Sequence, residues 1–176
     1  MAISLYQAIV PQFLQVLPRM VGLLDKAEAW CQDKGLPPSA LIDMRLAPDM
    51  HPLSYQARYT ALHSTGAIKA VFDGMASPPE SPPPQTFAEL RALVSGAIAD
   101  LNGLDADQLN AQADKNVNFV YGGEVRMRFT GTTYLLSFAQ PNFYFHCSIL
   151  YAILRNQGLD IGKLDFLGAV QVKQPA

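Results

Sequence analysis

A chain of 176 residues with 49% hydrophobic and 16% charged residues is long enough for one domain, residues 1–176, with a substantial core, and too apolar to be disordered. Its formal charge of −2 gives no field for gathering nucleic acid or anionic lipid, and only Arg126 and Arg128 approach a basic cluster, so no nucleic-acid partner is expected.

Tyr6, Ile9, Val10, Phe13, Leu14, Leu17, Met20, Val21 and Leu24 follow the three-and-four spacing of a helix. Pro11 and Pro18 each remove a backbone donor within it, which predicts an early kink or a break. Gly35, Pro37 and Pro38 close this element, and a short turn is expected over residues 39–45. A second helix is expected over residues 51–72. Pro52 stands in the first turn, where its missing N–H costs nothing, Asp49 or His51 is the cap, and Asp73-Gly74 is the end. The Pro-rich stretch of residues 77–84 cannot continue a helix and reads as a stiff surface connection.

Thr86 and Glu89 stand at capping-box spacing ahead of a third helix whose apolar face is Phe87, Leu90, Val94, Ala97, Ile98 and Leu101. Between residues 117 and 129 the period drops to two. Val125, Met127 and Phe129 alternate with Glu124, Arg126 and Arg128, and Gly122-Gly123 supplies the tight turn of a hairpin. A fourth helix is expected over residues 132–156, with Gly158 as a left-handed cap and Arg155 at the negative end of the dipole. Residues 129–154 contain no Asp, Glu, Lys or Arg, which predicts a helix buried almost all round. Gln140, Pro141, Asn142 and His146 interrupt this run, so a buried helix is expected and not a membrane span. The expected fold is all-α: a four-helix bundle with a small β-hairpin before the last helix.

Cys31 and Cys147 have no CxxC partner and read as reduced thiols. Residues 1–6 lack the basic start and cleavage pattern of a signal peptide, so a cytoplasmic location is expected. Cys147 adjoins His146, but neighbouring helical residues point about 100° apart, and a buried apolar thiol is expected in place of a nucleophile. Gly158-Leu159-Asp160-Ile161-Gly162-Lys163 lacks the spacing of a phosphate loop and is followed by Leu164. No catalytic residue stands out. The polar groups Asn142, Tyr144, His146 and Tyr151 on an apolar helix are the candidate ligand-binding set. Val16 and Leu23, outside the main stripe of the first helix, suggest surface that a homodimer would cover.

The three histidines are His51, His63 and His146. His51 and His63 differ by about 120° around an ideal helix and cannot chelate one metal from a single helix. A metal site would join His63 to His146 with a third ligand from His51 or a carboxylate, since catalytic zinc normally takes three protein ligands.

Pro48-Asp49-Met50 with Pro52-Leu53, Thr86-Phe87-Ala88-Glu89-Leu90, Tyr134-Leu135, Asn142-Phe143-Tyr144-Phe145-His146, Tyr151-Ala152-Ile153-Leu154-Arg155 and residues 162–168 together resemble a bacterial family of unknown function within the DinB/YfiT-like helical-bundle superfamily. The resemblance covers nearly the whole chain. It implies a four-helix bundle of the up-down-down-up type, often a homodimer. It also implies, for the wider superfamily, a divalent metal held by one histidine of the second helix and a His-x-x-x-His pair of the fourth, with thiol-transferase or hydrolase activity in some members. Carried over, His63 and His146 match the first two ligands, and Leu150 stands in place of the third. The expected function is therefore binding of a small molecule or protein partner without strong catalysis, the alternative being a metal-dependent enzyme using His63, His146 and His51.

Overall fold

The computed structural model describes residues 3–170 and residue 172. Met1 and Ala2, the start of the segment read for a leader, lie outside the described residues. The first helix, α1 (Leu5–Asp33), is opened by Ser4, whose side chain accepts from Gln7 N while Gln7 returns a bond to the Ser4 backbone. It runs for 29 residues without a break, with Pro11 and Pro18 inside it. Each proline costs about 3 kcal/mol in a helix interior. Burial of Phe13, Leu17, Met20 and Leu24, all 0% exposed, offsets that cost, at roughly 1.5–3 kcal/mol per large apolar side chain. The expected break is thus overridden by packing. Val16 and Leu23 are 4% and 1% exposed within this single chain, so neither supplies surface for a second copy.

The expected turn is α2 (Ser39–Ile42). The second rod comprises α3 (Leu53–Ala61), a π-helical turn (Leu62–Gly66) and α4 (Ala67–Asp73), ended by Gly74 at φ 71°. Neither Asp49 nor His51 caps it; Pro52 is the N-cap residue and no side chain bonds the first turn. Instead the His51 ring stacks at 3.8 Å on Tyr55, which stands in the first turn of α3.

Met75 and Ala76 then form β1, a strand with no counterpart in the sequence reading. The proline stretch leads to α5 (Phe87–Asn102), where Thr86 Oγ1 accepts from Glu89 N at 3.2 Å and donates to the Glu89 carboxylate at 2.7 Å. Helix α6 (Ala106–Asn110) precedes β2 (Asn116–Tyr121) and β3 (Glu124–Thr130). These pair antiparallel around Gly122 and Gly123, at φ 60° and 77°, the positive values that a two-residue hairpin turn requires. β1 adds parallel to β2, giving the order β1-β2-β3. The fold is therefore mainly helical with a three-stranded sheet, a correction to the all-α expectation.

The last rod is α7 (Gly131–Thr133), a second π-helical segment (Tyr134–Ala139) and α8 (Gln140–Asn156). A Cβ on Gly131 would lie 2.2 Å from the Gln112 carbonyl oxygen, so only glycine fits where the hairpin turns into the rod. At the far end Leu159 N–H bonds Leu154 O at 3.2 Å and Gly158 N–H bonds Arg155 O at 3.1 Å, the paired closure of a Schellman cap with Gly158 at φ 90°. Short α9 (Lys163–Leu167) folds back on α1. The uncharged rod is not buried all round: Phe145 is 52% and Leu136 39% exposed. Lack of charge permits burial, but a helix at 3.6 residues per turn still leaves one face outward when its neighbours cover only the other.

Candidate functional site

The rod containing α3 crosses α8 beside the sheet, and a cavity of about 530 Å³ lies where they meet. One wall comes from α3 and its π-helical turn (Tyr55, Tyr59, Leu62, His63, Gly66), a second from the other π-helical segment and α8 (Tyr134, Phe138, Asn142, His146). Phe119 and Tyr121 of β2 and Ser77 and Pro78 after β1 close it. Both π-helical segments thus contribute directly to the lining. A π turn widens the helix by one residue and re-aims the side chains that follow, and such turns concentrate at functional sites.

Four residues separate each of His51, Tyr55, Tyr59 and His63, so the rings form a ladder along α3. Tyr55 stacks on His51 at 3.8 Å and on Tyr59 at 4.0 Å, and Tyr59 lies 5.6 Å from His63 and 5.1 Å from His146. The rings of His63 and His146 are parallel to within 5°, with centroids 5.5 Å apart. Both residues are buried, at 7% and 8% exposure.

Their hydrogen bonding differs. Gln56 Nε2 donates to the His51 carbonyl at 2.9 Å, which fixes the amide orientation and turns Oε1 to His146 Nδ1 at 2.8 Å. An amide oxygen only accepts, so His146 carries its proton on Nδ1 and keeps a lone pair on Nε2. His63 Nδ1 is buried and has no hydrogen-bond partner among the described residues. Burial lowers His63 to a pKa of about 3, helped by repulsion from His146. Burial, with a smaller contribution from His51, lowers His146 to about 4. Both imidazoles are neutral at physiological pH. Two lining tyrosines are shifted away from ionisation: burial pushes the Tyr134 hydroxyl up to about 12, and burial beside Tyr59 raises Tyr55. Lys69 and Asp73, at the rim, form an i,i+4 ion pair.

Of the candidate ligand-binding residues, Asn142 and His146 line the cavity, Asn142 with its amide donating to the Phe138 carbonyl at 2.7 Å. Tyr144 and Tyr151 do not; Tyr144 packs against Phe143 and Tyr151 against Phe166. Cys147 is 0% exposed, with its thiol pushed well up by burial, as expected of an inert core residue. Gln56 and the aromatic lining were missed by the sequence reading, although the four-residue spacing from His51 to His63 was a visible signal.

The divalent metal that the superfamily resemblance implies requires a third protein ligand. Leu150 stands in that position and is 0% exposed. His51 lies on the surface, stacked on Tyr55. Among the described residues no three His, Cys, Asp or Glu side chains come together in a way that could hold an ion. Two imidazoles among aromatic rings do not fit a three-ligand centre.

A family model described as a domain of unknown function, DUF1993, matches residues 5–167. The chain is similar to the crystal structure of a DinB family member protein from Shewanella denitrificans. That match has a TM-score of 0.82 and 29% identity, over 97% of this chain and 96% of that one. No curated protein matches the chain. Among the described residues no helix is long and apolar enough to cross a membrane.

Proposed function

The chain belongs to the DUF1993 family, a DinB-like family of unknown function, and we propose that it is a small-molecule-binding protein whose ligand occupies the cavity between His63 and His146. The observation that carries this reading is a cavity of about 530 Å³ lined by aromatic rings and by the buried His63 and His146, large enough for an organic molecule. His146 offers the ligand the lone pair of Nε2, and a hydrogen bond made to it is worth about 0.5–1.5 kcal/mol net. Binding without strong catalysis is supported by the chemistry of the lining. Neither imidazole is basic enough to act as an efficient general base near neutral pH, and among the described residues no activated nucleophile lies beside them. On this reading the four long rods act as a bundle that holds the two π-helical turns in register around the ligand.

Native mass spectrometry of untagged protein purified without chelator tests this. A co-purifying small molecule, lost on His63→Phe, is the expected result. Absence of any such molecule, together with no thermal shift across a library of apolar and aromatic compounds, would overturn the reading. So would stoichiometric divalent metal that disappears on His146→Ala, which would restore the metal-enzyme alternative.

A further inference from the structure

We infer that the ligand is a neutral aromatic molecule bearing a phenol-type hydroxyl that donates to His146 Nε2 beside the His63 ring. This names the ligand class of the site proposed above and rests on that reading.

The argument begins with the hydrogen-bond inventory. Gln56 takes the only proton of the neutral His146 ring, so His146 Nε2 can only accept. The two rings lie parallel with centroids 5.5 Å apart, so a group that pairs with His146 lies beside the His63 ring. A hydroxyl meets the requirement, because it donates to His146 Nε2. An ether or ketone, which only accepts, leaves His146 Nε2 unanswered.

Charge narrows the class further. Among the described residues Lys69 and Asp73 are the only charged residues on the lining, and they neutralise each other at the rim. His146 is bonded to the uncharged Gln56 amide and not to a carboxylate that would hold it as a cation. A carboxylate or phosphate would therefore enter a buried site without a compensating cation, an unfavourable transfer. The remaining lining is dominated by rings, including Tyr59, Phe119, Tyr134 and Phe138. These offer offset and edge contacts to a second aromatic system.

Isothermal titration of the wild-type protein at pH 7.5 with naphthol, methoxynaphthalene, naphthoate and trimethylphenylammonium separates the classes. Naphthol is expected to bind at least about tenfold more tightly than methoxynaphthalene, because the ether leaves the buried acceptor unpaired. In His146→Phe, which removes that acceptor, the difference should shrink to about twofold. The wild-type ranking decides the matter by itself should the variant fail to fold. Equal affinity for naphthol and its ether would overturn the hydroxyl assignment and leave the small-molecule reading standing. Tightest binding by naphthoate or by the ammonium, the latter drawn by the aromatic faces, would replace the neutral class with a charged one. Failure of all four to bind at millimolar concentration would overturn the assignment, while a different molecule found by native mass spectrometry would still uphold the site.

Discussion

Where α8 meets α1, Phe143 packs at 4.6 Å on Phe13, and Cys147, Leu150 and Leu154 continue into a core in which all are 0% exposed. Where the same helix meets α3, it presents Asn142 and His146 to an aromatic cavity, opposite a histidine whose Nδ1 has no partner among the described residues. The first region contains almost nothing polar to satisfy. The second contains buried polar groups, one paired through Gln56 and one not. A chain selected for stability alone would fill the second region with leucine, as it did at Leu150. The contrast separates residues that hold the fold from residues held in place by it.

The largest effect should come from the apolar region. Phe143→Ala is expected to lower stability by about 3–5 kcal/mol, read as a drop in the urea midpoint. The fraction that remains folded should bind ligand as the wild type does, and lost binding in well-folded protein would blur the two regions.

Acid should act on the polar region. His63 and His146 have folded pKa values of about 3 and about 4, below the ordinary histidine value. The unfolded chain therefore binds more protons than the folded one as pH falls from about 6.5 towards 4. Stability should be fully present above about pH 6.5 and should fall below it, by about 1.4 kcal/mol per pH unit for each histidine. Urea midpoints between pH 7.5 and 4.5 check this, and replacing both histidines with phenylalanine should remove most of the slope. A midpoint independent of pH would show that the imidazoles are not buried neutral.

Gln56→Leu leaves the His146 Nδ1 proton and the His51 carbonyl without the side-chain partner each has in the fold. A loss of about 1–3 kcal/mol is expected, measurable by thermal unfolding. The smallest effect has the opposite sign. His63→Phe removes an unpaired polar atom and should leave stability unchanged or raise it by up to about 1 kcal/mol, while ligand binding is lost. A strong destabilisation would mean that His63 serves the fold.

The parts of the fold legible in the sequence were those with local chemical signals. Thr86 with Glu89, the Gly122-Gly123 turn and Gly158 mark ends that the structure places where their side chains or φ angles require. The unbroken α1 was not legible, because the cost of Pro11 and Pro18 is local and the burial that offsets it is tertiary. Nor was β1, two residues paired in parallel with a strand about forty positions later. The π-helical turns at Leu62–Gly66 and Tyr134–Ala139 leave no periodic trace over so few residues. His63 and His146 stood out as candidates, but their common ring geometry depends on those turns. Gln56, a polar residue on a helix, became meaningful only once His146 was seen beside it.

The most direct test of the whole account is long-range proton–nitrogen NMR of the histidine side chains at pH 6, with and without naphthol. The account predicts that His63 and His146 are both neutral, that His146 carries its proton on Nδ1, and that saturation with naphthol moves the His63 and His146 imidazole nitrogens. A charged imidazolium at either position at pH 6, or ring nitrogens that do not move in the saturated protein, would contradict it.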